Sequence, residues 1–551
     1  MAGVPDPASL DRPWLTAFPP GVPPTYRLPT VALTRLLDDA ARDFPTSSAL
    51  VTEGCDAVDY ATLRDRVDEV ARGFAASGLG PADRVLVGLH NTLAAPVALL
   101  ALWRLGVVVV PVAPDLSAER LRAVAEDAAV VGVVAIAEVL HELRQHVALP
   151  PVAVCVSGEE WPTRRRLRPR LPRRTRRRGG DHVTLADLLA QQGDTGTLPP
   201  APAPTAPAAL VYRARGEDLR GVVLTHANLV ANAFQARLWV PDVQAGHERV
   251  LVADPLHEVL PLTLGLLASL LSAAAIVLLD RPEPGVLART IEREKPTLFP
   301  TVPARLGALL ADRDGARRDL TSLRVCVAGG APLDPRLAAE VERRTGGARV
   351  REGYGLAEAA PLTHAQPVYG RATFGTIGLP VTDTVAIVVD PDDLARVLPP
   401  DTPGMLLVSG PQVAAGYLDR PELTAATFVD GWLVTGDLAS VDTDGVFTHV
   451  GRIDEVVKRD GGFVSPRHVE AALLLHPAVE RAGVVAAGDL LLGAVVTRRR
   501  ARPGSDALVE HCRRYLDAAA VPDRVTVVDR LPETPAGDLD RDDLRRLLAG
   551  G

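Results

Sequence analysis

Lysine, cysteine and aromatic residues are scarce in this chain of 551 residues, and the few cysteines exclude two kinds of site. Only two lysines, Lys295 and Lys458, occur among 60 basic residues. The four cysteines are scattered and form no CxxC pair, so neither a zinc site nor a disulfide framework is indicated, and a cytoplasmic location is expected. The N-terminus lacks a basic start followed by an apolar run, which argues against a signal peptide. The net charge of −8 gives no indication of nucleic-acid binding.

Two long apolar runs could each be either a membrane span or part of a buried core. The run 97–111 carries Arg104 and breaks at Gly106, and the run 259–279 contains Pro261. We interpret each as a buried helix followed by a buried strand, because that alternation fits a parallel sheet covered by helices. No transmembrane segment is therefore expected.

The fold class is predicted from the alternation of helical and strand-like segments between residues 31 and 150. Helices are predicted over 36–44, 60–77, 94–105 and 121–128, and strands over 84–89, 107–110 and 130–136. This pattern is typical of βαβ units, so we predict an α/β fold whose large N-terminal domain has helix-covered, mostly parallel sheets.

A second, smaller α+β domain is predicted after residue 454. Its pattern indicates helices over 467–475 and 506–518, and strands over 483–487, 492–497 and 524–528. The predicted domains are therefore 1–453 and 454–551, with a proline-rich connection over 198–208 inside the first.

Residues 164–180 form an arginine-rich loop with two open interpretations. It could be a patch for an anionic partner, such as a phosphopantetheinylated acyl carrier protein, or a solvated loop. We favour the solvated loop, because prolines punctuate the segment and no aromatic residues are interleaved.

The most informative pair of residues is Asp437 and Arg452, in the segments Thr435–Leu438 and Gly451–Lys458. A carboxylate can accept hydrogen bonds from both ribose hydroxyls, and a guanidinium supplies planar donors. Taken alone, Asp437 could simply cap a turn.

These segments belong to a series of motifs that runs along nearly the whole chain. The motifs are residues 12–14, 21–23, 221–229, 255–257, 329–333, 353–358, 375–378, 431–437 and 451–470. In their order and spacing the chain resembles the adenylate-forming superfamily of acyl-CoA synthetases, peptide-synthetase adenylation domains and luciferases. Within it, the chain is most similar to bacterial long-chain fatty-acyl-CoA ligases.

The resemblance implies a two-step reaction and a mobile C-terminal domain. Active members join a carboxylic acid to ATP with magnesium, giving acyl-AMP, and a thiol of CoA or of a carrier protein then attacks the acyl-AMP. The small domain rotates between the steps about a hinge, which Asp454 matches in this chain.

The resemblance also assigns roles to individual residues. The candidate catalytic residues are Glu358, as the magnesium-side carboxylate, His257, beside the acyl entrance, and Lys458. The candidate nucleotide-binding residues are Arg220, Gly329, Gly330, Tyr354, Gly355, Asp437 and Arg452. Taken alone, His257 could be a satisfied core histidine.

Three ATP-handling motifs depart from the family pattern. The glycine- and hydroxyl-rich phosphate loop is replaced by 212–221, where Arg213 and Arg215 stand at former loop positions and Glu217 occupies a glycine position. Arg220 matches the loop lysine in charge only. A phosphate-contacting threonine is replaced by Ala357.

The third departure is Asp538, which stands where the family has a lysine that bridges the carboxylate and the α-phosphate. Three hypotheses follow. The chain is an acyl-activating ligase with impaired adenylation, or a repurposed enzyme of ATP-independent acyl transfer, condensation or cyclisation, or a non-catalytic protein that binds acyl chains or a carrier protein.

Overall fold

The computed structural model describes residues 4–52, 57–146, 150–156, 183–190, 197–215, 218–280, 282–312, 315–459, 462–488, 490–498, 503–532 and 539–549. The arginine-rich segment 164–180, Glu217 and Asp538 lie outside these ranges, as does the side chain of Arg215.

The chain divides into two compact units. The large unit comprises Arg12–Val385 and Val408–Leu433, and the small unit comprises Met1–Asp11, Ala386–Leu407 and Val434–Gly551. The predicted boundary at residue 454 concerns motion about a hinge, and it stays a prediction.

The described helices alternate with strands along most of the chain. In order they are α1 (Thr34–Asp43), α2 (Tyr60–Ala76), α3 (Ala94–Arg104), α4 (Ala118–Asp127), α5 (Ala137–His146), α6 (Leu185–Ala190), α7 (His226–Leu238), α8 (Ala268–Leu271), α9 (Pro284–Glu294), α10 (Pro303–Ala311), α11 (Pro335–Arg344), α12 (Pro421–Thr427), α13 (Pro466–Leu474), α14 (Ser505–Cys512) and α15 (Arg541–Ala549). Shorter helical turns cover Pro7–Ser9, Pro13–Ala17, Gly315–Arg317, Ala357–Ala359 and Ala518–Ala520, and a π-helical segment covers Pro261–Leu267.

The described strands range in length from two to ten residues. They are β1 (Ser48–Val51), β2 (Val58–Asp59), β3 (Arg84–Gly88), β4 (Val108–Pro111), β5 (Gly132–Ala135), β6 (Val152–Cys155), β7 (Val183–Thr184), β8 (Pro207–Arg215), β9 (Asp218–Thr225), β10 (Arg249–Val252), β11 (Ala275–Leu278), β12 (Leu298–Thr301), β13 (Val325–Ala328), β14 (Arg349–Gly355), β15 (Leu362–Ala365), β16 (Leu379–Pro380), β17 (Val385–Asp390), β18 (Asp393–Val397), β19 (Gly404–Ser409), β20 (Gly416–Tyr417), β21 (Phe428–Val429), β22 (Trp432–Val441), β23 (Phe447–Arg452), β24 (Val457–Arg459), β25 (Gly462–Val464), β26 (Val479–Ala487), β27 (Leu490–Thr497) and β28 (Arg524–Val527).

Two large sheets form the framework of the large unit. Their strand orders are β16-β15-β14-β13-β12-β10-β11-β1-β2 and β20-β9-β8-β4-β3-β5-β6-β7. The inner strands of both sheets are parallel, whereas β2, β9, β15, β16 and β20 pair in the antiparallel sense. Strands such as β4 and β5 are buried along their whole length, as expected where helices cover both faces of a parallel sheet. The predicted α/β fold is confirmed.

The two apolar runs are core elements. Residues 97–111 form most of α3 and all of β4, and residues 259–279 form the π-helical segment, α8 and β11. No helix in the described ranges is long and apolar enough to cross a bilayer.

Local hydrogen bonds fix where the helix beside the candidate site begins. Helix α7 starts directly after β9 with a reciprocal capping box, in which the Thr225 hydroxyl accepts from the Asn228 amide and the Asn228 side chain accepts from the Thr225 amide. The same Asn228 side chain donates to the carbonyl oxygens of Pro411 and Val413, which ties this corner to the segment before β20.

The small unit contains three separate groups of strands. Strands β18, β17, β19 and β22 follow one another in a sheet, β23 pairs with β22, and β24 pairs with β25. Strands β26, β27 and β28 form a third sheet. The helix predicted over 506–518 ends at Cys512, and Ala518–Ala520 form a separate short turn, because the backbone at Asp517 is extended with a ψ of 155°.

Candidate functional site

A cavity of about 450 Å³ lies in the large unit beside the carboxyl ends of several parallel strands. Its wall includes the end of β4, part of β8, the segment after β10 and the end of β14. This is where α/β sheets usually bind ligands, and the volume lies in the range of small-molecule sites. Six of the sequence candidates line it: Arg213, His257, Gly330, Tyr354, Gly355 and Ala357.

Strands β8 and β9 pair in the antiparallel sense over the segment where the family resemblance places the phosphate loop. Arg213 lies opposite Arg220, and the ladder continues until Arg215 lies opposite Asp218. In extended strands, successive N–H groups point in opposite directions, so the backbone over the paired residues cannot direct several N–H groups at one anion. The described part of this segment therefore lacks the geometry of a phosphate-binding loop.

Glu358 is held by two donors from distant parts of the large unit. Its Oε2 accepts from Nη1 of Arg213 at 2.9 Å, and its Oε1 accepts from the hydroxyl of Tyr417 at 2.9 Å. The Glu358 side chain is only 10% exposed. Burial and the neighbouring Glu358 carboxylate raise the pKa of Tyr417 to about 12, so the phenol keeps its proton and remains a donor at neutral pH.

Arg220 is paired within its own strand. Its Nε donates to Asp218 at 2.7 Å, and its Nη2 lies 2.6 Å from the same carboxylate. The positive charge that could replace the family lysine is therefore compensated locally by Asp218.

Gly355, one of the candidate nucleotide-binding residues, is needed for a close approach of two backbone segments. A Cβ atom at Gly355 would lie 1.9 Å from the carbonyl oxygen of Pro361, so no other residue fits there. The loop 329–333 is fastened by the buried Glu352, whose Oε2 accepts from the Leu333 amide at 3.0 Å. Burial raises the pKa of Glu352 to about 7.

His257 faces the cavity with one ring nitrogen unused by the protein. Its buried Nδ1 has no hydrogen-bond partner among the described residues. Burial lowers the pKa of His257 to about 4, so the ring is neutral at physiological pH and is a weak base there. We therefore interpret His257 as a neutral hydrogen-bonding group that contacts a ligand, and not as a core histidine whose hydrogen bonds are all made within the protein.

Asp437 and Arg452 meet in the small unit. They are direct partners in the β22–β23 ladder, and Nη1 of Arg452 lies 3.3 Å from Oδ1 of Asp437. The Asp437 side chain is 5% exposed. Gly436 has a positive φ of 74°, and a Cβ atom there would lie 2.8 Å from Nη2 of Arg452. The glycine thus gives the guanidinium room beside the carboxylate.

The remaining candidates of the small unit surround this pair or lie on its surface. The Asp454 carboxylate is 3.4 Å from Nε of Arg452, so the guanidinium lies against two carboxylates. Lys458 is exposed and lies 3.9 Å from Asp392, a separation at which an exposed ion pair contributes little.

Two residues that the sequence did not suggest belong to these clusters. Tyr417 contacts Glu358 from 59 positions away, and no local pattern marks it. Nε2 of His449 lies 3.7 Å from Oδ1 of Asp437. Its position on β23, three residues before Arg452, is the only signal that could have indicated it.

Known proteins that match this chain bind AMP or form acyl-CoA thioesters according to their names. The family model described as AMP-binding enzyme matches residues 37–418, and the model of the AMP-binding enzyme C-terminal domain matches residues 468–538. A long-chain-fatty-acid–CoA ligase of Yersinia pestis is 30% identical over 567 residues, covering 97% of this chain and 98% of its own. A feruloyl-CoA synthase of Amycolatopsis is 32% identical over 514 residues, covering 92% of this chain and 97% of its own.

Solved structures show the same fold at lower identity. An anthranilate CoA ligase in complex with anthranoyl-AMP superposes with a TM-score of 0.82 at 22% identity, covering 95% of this chain and 98% of its own. ATP-bound MatB from Rhodopseudomonas palustris gives a TM-score of 0.79 at 23% identity, covering 94% and 98%. With the family model matched over most of its length, the chain belongs to the AMP-binding enzyme family of adenylate-forming, acyl-CoA ligase-type proteins.

Proposed function

We propose that the chain is an acyl-activating protein of the acyl-CoA ligase type that binds a fatty acyl group and its adenylate but makes acyl-AMP from ATP poorly. The observation that carries this proposal is the β8–β9 ladder, which extends through the segment where a phosphate loop would be needed. Asp218 at the end of that ladder compensates the charge of Arg220, and Glu217 in the sequence adds negative charge that repels a polyphosphate.

The acyl half of the proposal is supported by the walls of the cavity. Leu264, Val327 and Leu362 line both this cavity and a smaller, mostly apolar pocket of about 70 Å³ behind it. An acyl chain that displaces water from such walls gains about 0.8 kcal/mol for each buried methylene group. The long-chain-fatty-acid–CoA ligase and the feruloyl-CoA synthase named above favour a carboxylic acid or its thioester as substrate.

The nucleotide half is supported by the buried Asp437 and its contact with Arg452. Because these residues suit a ribose and not a phosphate chain, AMP or an acyl-adenylate should bind at least as well as ATP. A hinge at Asp454, a role for Lys458 in the thiol step, and CoA or a carrier protein as thiol donor are parts of the same proposal. A cytoplasmic location, predicted from the cysteine usage of the sequence, belongs to the same proposal.

A second candidate function is acyl transfer without ATP. It is favoured by the same ladder, because the sequence departures concern the ATP step while the segment 451–458 of the thiol step is retained. The weak basicity of His257 restricts it to hydrogen bonding in such a reaction.

The test separates the two half-reactions. The protein is given palmitoyl-AMP with CoA in one assay, and palmitate, ATP, magnesium and CoA in the other, with palmitoyl-CoA as the readout of both. We expect the ATP-dependent rate to be lower by about a hundredfold or more, since each lost preorganised donor removes about 10²–10³ in rate. Equal rates would overturn the proposal. Failure of both assays, with transfer of the palmitoyl group from palmitoyl-CoA to an added acceptor thiol and release of free CoA, would establish the second candidate.

A further inference from the structure

The carboxylate that the family resemblance assigns to magnesium does not fit a metal ion in this chain. Both oxygens of Glu358 accept hydrogen bonds from protein donors, one of them the cationic Arg213. The neighbouring Ala357 has no hydroxyl to offer. Magnesium requires an octahedral set of oxygens close to the ion, and a guanidinium on the same carboxylate repels it.

We propose that Arg213 takes the place of the divalent cation, so that this protein binds the phosphate of a nucleoside monophosphate or acyl-adenylate without metal. The inference rests on the proposed function, since it concerns how that same site meets an adenylate. The ligand class is a nucleoside 5′-monophosphate whose phosphate is either free or joined to an acyl group as a mixed anhydride. A magnesium–triphosphate complex does not belong to this class.

The position of Arg213 suits this role. Its side chain lines the cavity and is 44% exposed, so it is accessible to a ligand there, while Glu358 beneath it is nearly buried. A guanidinium presents a planar set of donors that matches phosphate oxygens better than a point charge does.

Glu358 and Tyr417 act as positioning residues. The carboxylate orients the guanidinium from behind, and the protonated Tyr417 hydroxyl holds the carboxylate in place from the other side. Because Arg213 already balances the charge of Glu358, the cluster needs no external cation, and Arg213 meets a phosphate through hydrogen bonds from its exposed guanidinium and not through a net positive charge.

The first arm of the test measures AMP binding by calorimetry in magnesium and in a chelator. Arg213→Gln is compared with Arg420→Gln, a matched control in the large unit. Arg420 is 41% exposed and pairs with Asp127 at 2.8 Å, whereas Arg213 pairs with Glu358 at 2.9 Å, and Arg420 does not line the cavity. We expect the wild-type affinity to be the same in both media. Arg213→Gln should weaken it about tenfold or more in the chelator, and Arg420→Gln should leave it unchanged.

The second arm uses Mn²⁺ alone, detected by electron paramagnetic resonance. Wild type should show no Mn²⁺ site that depends on Glu358, Arg213→Gln should gain one, and the double variant Arg213→Gln/Glu358→Gln should lose it again. Arg213→Lys keeps the positive charge but lacks the planar set of guanidinium donors, so it should exclude Mn²⁺ but bind AMP weakly.

The two arms fail in different ways. Magnesium-dependent AMP binding by wild type, or a wild-type Mn²⁺ site that Glu358→Gln removes, would overturn the replacement of the metal by Arg213. An absence of AMP and acyl-adenylate binding in both media would overturn the proposed function instead, and the Mn²⁺ measurements would still decide whether Arg213 excludes the metal.

Discussion

Replacing Asp437 by alanine is the sharpest test of whether the small unit holds a ribose. The Asp437 carboxylate is buried and lies 3.3 Å from Nη1 of Arg452, and Nε of the same guanidinium lies 3.4 Å from the carboxylate of Asp454. Removing Asp437 therefore leaves the guanidinium with a remaining partner, and we expect the variant to fold. The matched control is Asp444→Ala, an exposed carboxylate at the turn between β22 and β23.

The expected loss follows from the type of hydrogen bond involved. A hydrogen bond to a charged group contributes about 1.5–3 kcal/mol, so losing one such bond to a ribose hydroxyl weakens AMP binding by about ten- to hundredfold. If Asp437 accepts from both hydroxyls, the loss lies at the upper end of that range. The control variant Asp444→Ala should change the AMP affinity by less than about twofold.

The assay is calorimetric titration with AMP and with its 2′,3′-dideoxy analogue, each against wild type and Asp437→Ala. The analogue should bind wild type more weakly than AMP does, whereas Asp437→Ala should bind both ligands alike, because the partner of the hydroxyls is gone. If the analogue loses the same affinity in both proteins, Asp437 does not read the ribose and the reasoning is wrong.

Two further predictions concern the framework of the two units. Burial raises the pKa of Glu352 from 4.5 to about 7, so its stability contribution is fully present below about pH 4.5 and is lost as the pH rises through about 7. The unfolding free energy of Glu352→Gln relative to wild type should therefore rise by about 3 kcal/mol between these pH values, and a gap independent of pH would contradict the raised pKa. Gly436→Ala places a side chain at a residue with positive φ and against Arg452. It should destabilise the protein by about 1–3 kcal/mol in thermal unfolding and weaken AMP binding. In the control variant Gly431→Ala a Cβ atom meets nothing within 4 Å, so this variant should show the cost of the backbone conformation alone.

The helices and strands were largely predictable from the sequence because their signals are local. The helix predicted over 60–77 is observed as Tyr60–Ala76, and the strand predicted over 84–89 as Arg84–Gly88. The pattern of apolar residues repeats within a few positions, and Asp59 marks the start of the helix by accepting from the Thr62 amide.

The contacts of the site were only partly predictable. Asp437 and Arg452 lie 15 positions apart on neighbouring strands, so their meeting follows from the hairpin between them. Arg213 and Glu358 are 145 positions apart, and Tyr417 approaches from a third segment. Such contacts depend on the packing of whole sheets, which one sequence does not specify at the level of side chains.

The hairpin of β8 and β9 has a consequence for the history of this protein. A single substitution changes a side chain but leaves the ladder, whose hydrogen bonds each contribute about 0.5–1.5 kcal/mol. Opening the segment into an anion-binding loop requires several pairs, from Arg213–Arg220 to Arg215–Asp218, to separate together. A change in the acyl group that is accepted needs only point substitutions, whereas a return of triphosphate binding needs a new backbone conformation over this segment. Under mutation and selection, descendants of this chain would therefore change acyl specificity more readily than they would regain triphosphate binding.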